Sequence, residues 1–195
     1  MAKRVFFSFH YQDVIDFRAN VVRNHWVTKL NRDDAGYFDC SLWESAKKQG
    51  SYALKRMINT GLDNTSVTCV LIGSQTYLRP WVRYEIMKSL MRGNTLLGVH
   101  INSIAGRDGN TKSKGPNPFE HLGITYSNDG EYITLWERVN GQWEYYKEID
   151  SSATFRIPRV APEYRGNGYN LARFYPDYDW VYDSGYINFA KWVDG

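Results

Sequence analysis

"SVTCVLIGSQTYLRPWVRYEIMKSL", Ser66–Leu90, sets the reading of the whole chain. Its opening, Ser66–Gly73, is β-branched and almost continuously apolar, the pattern of a central parallel strand covered on both faces. A polar turn follows. Pro80 then stands where a helix can begin, because a first-turn residue has no use for its missing N–H. Within that helix Val82, Ile86 and Leu90 fall at i, i+4 and i+8 and form a core-facing stripe, while Trp81, Glu85 and Lys88 share another side. The pattern leaves two readings of Glu85 open. It is either a surface carboxylate paired with Lys88, which would stabilise little, or an acid at a ligand-binding edge beside a large aromatic.

Working outward, "RVFFSF" (Arg4–Phe9) and "TLLGVHI" (Thr95–Ile101) read as buried strands, and "GYFDC" (Gly36–Cys40) as a weaker one. "DVIDFRANVVRNHWVTKL" spaces Val14, Phe17, Val21, Val22 and Trp26 at helical intervals, with Asp13 as its N-cap. "SLWESAKKQG" reads as a polar loop before a helix that Ser51 caps and Gly61 stops. Strands alternating with helices at this spacing imply an α/β fold, an open parallel sheet with right-handed crossovers.

Past Ile101, "NSIAGRDGNTKSKGPNPFEHLG" reads as a long loop of the functional or flexible kind. "EYITLWERVNGQWEYYKEI" alternates around Asn140–Gly141, a hairpin turn signal. From Arg156 the chain is aromatic and irregular, with "INFAKWV" as a short closing helix. The expectation is one domain over 1–195, with its core at about 1–125 and a hairpin and aromatic-rich decoration at about 126–195.

Bulk properties exclude several classes. The formal net charge is +3 with no basic block, so nucleic-acid binding is not expected. No stretch approaches the ~20 apolar residues of a membrane helix, and "MAKRVFFSFHYQD" lacks a signal-peptide pattern, so a soluble cytoplasmic protein is expected. Cys40 and Cys69 lie in apolar runs without metal-ligand spacing and read as buried free thiols; no metal site is expected. Aromatic residues make up 16% of the chain, an excess that fits packing, stacking on a flat ligand, or both.

Open parallel sheets bind ligands beyond the carboxyl ends of their strands. That rule selects "HYQD", "SLWES", "SQTYLRPW" and "NSIAGRDG". No Walker loop, G-x-G-x-x-G or G-x-S-x-G follows a strand, Phe9–His10 stands where a receiver domain would carry acids, and neither His10 nor His100 has an evident nucleophile beside it. Glu85 is what remains.

Two segments in order resemble a known family. "VFFSFHYQD" is similar to the first box of TIR domains, and "VTCVLIGSQTYLRPWVRYEI" to their later signature of strand, polar loop, Trp and a glutamate four residues on. With "GPNPFEHLG", they resemble more closely the TIR-like proteins of the bacterial Thoeris antiphage system. The resemblance implies a flavodoxin-like sheet and cleavage of NAD+ at the nicotinamide–ribose bond, with Glu85 as the catalytic acid. It implies a substrate cleft lined by Phe9, His10 and Tyr11 after the first strand, Trp43 after the second, and Trp81 beside the glutamate. It implies that infection triggers synthesis of a cyclic ADP-ribose isomer, that this messenger activates a partner effector, ThsA, and that TIR surfaces self-associate. No cofactor is implied, NAD+ being the substrate. A non-catalytic TIR scaffold and a plain NAD+ hydrolase are the alternatives.

Overall fold

The computed structural model describes residues 3–28, 33–35 and 40–195. The apolar run at its centre is strand β3 (Val67–Ile72), buried at every position because both of its faces are covered. It pairs in parallel with β1 (Arg4–Phe9) on one side and β4 (Thr95–His100) on the other. β2 (Asp33–Ala35) adds to the outer edge of β1, and β10 (Asp177–Asp179) to the outer edge of β4, both in parallel. The order β2-β1-β3-β4-β10 is that of a flavodoxin-like sheet, and its direction reverses between β1 and β3, where such folds hold their ligands.

Alternation along the strands divides the core. Val5, Phe7, Val67, Cys69, Leu71, Leu97 and Val99 face α2 (Arg18–Val27) and α6 (Gly185–Asp194). Val70, Ile72 and Leu96 face α5 (Pro80–Met91), whose Val82, Ile86 and Met87 meet them. Phe6 faces Ile58 and Leu62 at α4 (Ser51–Gly61). Beyond α5 lies a second, antiparallel sheet built from β5 (Leu122–Tyr126), β6 (Tyr132–Val139), β7 (Gln142–Tyr145), β8 (Thr154–Arg156) and β9 (Gly168–Asn170). Its Leu122, Ile124, Ile133 and Leu135 join the core of α5. The hairpin turn falls at Asn140 and Gly141 as expected, both at positive φ. Arg83 of α5 is tied to Glu137 of β6 at 2.7 Å.

Several local expectations are corrected. Asp13 does not cap a long helix; it lies buried inside α1 (Tyr11–Ile15), and α2 starts separately after Phe17, which sits at φ 66°. The break turns Arg18 inward, where its Nε donates to Ile104 O and Nη2 to Asn110 O, so helix continuity gives way to anchoring the long loop. That loop is anchored at its ends while most of 105–114 is exposed: Gly115 approaches the turn after β3 so closely that a Cβ there would lie 2.2 Å from Gly73 O. "SLWESAKKQG" belongs largely to a helix, α3 (Cys40–Lys48). Ser51 is the first residue of α4, with Gly50 at the N-cap position, and Gly61 is its last residue, with Leu62 as the C-cap. Of the weak strand at Gly36–Cys40, positions 36–39 lie outside the described residues and Cys40 opens α3. Cys69 is a buried free thiol. The tail is not all decoration, since β10 completes the main sheet and α6 covers one of its faces. No helix among the described residues is long and apolar enough to cross a membrane.

Candidate active site

A cavity of about 310 Å³ opens where the strand order reverses. Its floor comes from the end of β1, its walls from α3 and from the start of α5. The structure brings all six expected residues to it: Phe9, His10, Tyr11, Trp43, Trp81 and Glu85. Trp43 and Trp81 meet edge to face at 6.5 Å, and Trp81 meets Tyr84 in the same way at 6.2 Å. Phe9 also packs into the core between the main sheet and α2, so it serves both floor and core.

Glu85 is 5% exposed. The surface pair with Lys88 is absent among the described residues; the carboxyl turns inward, where its Oε2 accepts a 2.5 Å hydrogen bond from Ser8 Oγ. Ser8, fully buried, stands on the same face of β1 as Phe6, the face toward α4 and α5, so strand alternation aims its hydroxyl at the helix. Burial pushes the Glu85 pKa up to about 8, and the Ser8 hydrogen bond opposes that rise only in part. At neutral pH the site therefore holds a largely protonated acid.

The other titratable groups differ in kind. His10 is lowered to about 4 by burial, then by the charges of Arg79 and Lys112, so it is a neutral imidazole at pH 7. His100 does not line the cavity; its Nε2 pairs with Asp177 of β10 at 2.9 Å, a structural link between strands. Asp13 is buried against Gly73 and raised to about 6 by that burial, but does not line the cavity. Glu85 is the sole acid lining it among the described residues. Sequence reasoning missed Ser8, Lys47 and Arg79. The lone hydroxyl in "FFSF" was one signal, and Lys47 follows Trp43 by one helical turn, which shows only once α3 is known to be a helix.

Thermal unfolding reports the Glu85 environment. The native state keeps a proton that the unfolded chain releases at its ordinary pKa of 4.5, so stability falls as pH rises from 4.5 toward 8. Glu85→Gln removes that liability. Its stability relative to the parent is expected to rise between about pH 4.5 and about pH 8, by a few kcal/mol. A difference that stays flat with pH would show that Glu85 is not held protonated.

The profile of the family described as "Thoeris protein ThsB, TIR-like domain" matches residues 6–105. The chain belongs to the ThsB TIR-like family. The matched span contains β1 from Phe6 onward, β3, β4, α5 and every cavity-lining residue. A ThsB relative from Bacillus cereus (strain MSX-D12), provisionally named cyclic ADP-D-ribose synthase ThsB1, is 62% identical over 195 residues, covering 100% of both chains. The likeness thus extends beyond the ThsB profile through the second sheet, β10 and α6.

Proposed function

We propose that this chain is an antiphage-defence enzyme that, on infection, converts NAD+ to a cyclic ADP-ribose isomer, the messenger for an effector, ThsA. The observation that carries this reading is the buried Glu85 lining a cavity rich in aromatic side chains. The full-length likeness to a relative named for the same product supports it. In the reaction the bond from nicotinamide N1 to ribose C1′ breaks, and its electron pair stays on the ring nitrogen, which loses its positive charge. No proton donor is needed for departure, unlike in glycosidases that require a second carboxyl. Glu85 faces the cationic substrate ring and then the developing ribosyl cation, both of which favour its ionised form. A nucleophilic hydroxyl or ring nitrogen of the same molecule then bonds to C1′ in place of water, and a hydroxyl nucleophile gives up its proton to the ionised Glu85 carboxylate. Trp43 and Trp81 supply flat faces for a ring and help keep the cavity dry. The enzyme acts in the cytoplasm and needs no cofactor.

The test is product analysis by mass spectrometry of small-molecule filtrates from expressing cells, before and after phage infection. A cyclic ADP-ribose isomer that appears with infection and switches on NAD+ consumption by purified ThsA is expected. Linear ADP-ribose alone would make the protein a hydrolase. No nucleotide product in cells that are still protected would make it a TIR scaffold.

A further inference from the structure

Two cationic side chains line the cavity, and the chemistry above uses neither. Lys47 lies in the last turn of α3, one turn beyond Trp43; it is exposed, and its side chain has no hydrogen bond or ion pair among the described residues. Arg79 is the N-cap residue of α5, two residues before Trp81. Its Nη2 bonds Gln75, a neutral partner, while its Nε is buried with no hydrogen-bond partner. An unpaired guanidinium N–H held out of water is costly unless a ligand accepts from it. The only acid lining the cavity among the described residues is Glu85, whose carboxyl is engaged by Ser8. Positive charge on two walls is thus left uncompensated around an aromatic pocket, and the Arg79 charge adds to burial in opposing protonation of the neighbouring His10.

We infer that Lys47 and Arg79 form the seat for the pyrophosphate of the dinucleotide. The inference rests on the NAD+ reading and deepens it by giving the substrate a direction. The phosphates are drawn to the two cations, while the nicotinamide ribose goes down toward Glu85. Arg79 can offer a planar fork of donors and Lys47 a mobile point charge, a pairing suited to adjacent phosphate groups. The cavity is at the small end of the range for ligand pockets, so the adenosine half extends from the mouth. A grip on the middle of the molecule leaves both of its ends free to approach each other, which cyclisation requires.

The test needs no turnover. Inorganic pyrophosphate, ADP-ribose and nicotinamide riboside are each titrated into the full chain and followed by calorimetry. The unsubstituted chain is expected to bind pyrophosphate and ADP-ribose, more weakly as salt rises. Lys47→Ala and Arg79→Ala are each expected to weaken both by about tenfold or more, the effect of losing one charged hydrogen bond. Affinity for nicotinamide riboside, which lacks the pyrophosphate, stays unchanged, and Lys47→Arg retains most of the binding. Exposed Lys47 can be replaced without disturbing the core, so its result stands even where Arg79→Ala misfolds. Failure of the unsubstituted chain to bind either phosphate ligand, or equal losses for all three ligands, overturns the seat. Lys47- and Arg79-dependent pyrophosphate binding in a protein that makes no nucleotide product leaves the seat standing and sinks the NAD+ reading. A cyclic product made by the double variant with unchanged KM does the reverse.

Discussion

Glu85→Gln is expected to lower nicotinamide release by about 10²-fold or more, the usual effect of removing one preorganised charge-stabilising group. The substitution isolates charge from shape. Gln matches the parent in size, and its carbonyl oxygen can still accept from Ser8 Oγ, so the buried contact survives. At neutral pH the parent acid is itself largely protonated, which makes the two proteins near-isosteres until a cation arrives. The difference then appears only with substrate bound, when the parent can ionise and the variant cannot. The parent should also show two separated pH profiles. The kcat/KM limb, which reports the free enzyme, rises toward about 8. The kcat limb lies lower, because the bound nicotinamide cation draws the proton off. Measured nicotinamide release from the two proteins checks the first claim, and pH–rate curves check the second. A variant that releases nicotinamide at the parental rate would remove Glu85 from the chemistry.

What the sequence made legible was local. Continuous apolarity at β3, Pro80 opening α5 and Asn140–Gly141 at the hairpin each act through their own neighbours, and each falls where expected. Glu85 did not yield to local reasoning, because its burial is completed by Ser8, 77 residues earlier on another element. A helical wheel can place Glu85 beside Trp81 but cannot say what covers that side. The same limit explains the break before α2. Phe17 sits at positive φ, and the Arg18 that follows it reaches carbonyls 86 and 92 residues away, partners that no local pattern announces. Trp43 was assigned to the cleft through resemblance while its helix was read as a loop, since "SLWESAKKQG" is polar enough to mask its amphipathic spacing. β10 was invisible for a further reason. Three residues, Asp-Tyr-Asp, carry no strand signal of their own and become a strand only by pairing with β4.

Trp180→Ala is expected to cost about 3–5 kcal/mol, the range for deleting a buried large aromatic. Trp180 is fully buried immediately after β10. Its ring meets His25 of α2 at 5.4 Å, and Tyr186 and Phe189 of α6 at 5.0 and 5.5 Å. Its backbone N–H donates to His100 O at the end of β4. The indole N–H has no hydrogen-bond partner among the described residues, so truncation forfeits packing and opens a void with little lost bonding. Denaturant unfolding checks the size of the loss, and coincidence of probes checks its reach. If the tail were decoration, α6 would detach early while the sheet melted at the parental midpoint. A single transition moved as a whole is expected, because Trp180 and Phe189 belong to the same packed cluster as Val5, Trp26 and Leu97. A shift below about 1 kcal/mol would rank Trp180 with ordinary surface positions. The physical ground for expecting more is that β4 would otherwise be an edge strand with unpaired backbone groups. β10 satisfies that edge, and Trp180 fixes β10 to the helices on the adjoining face.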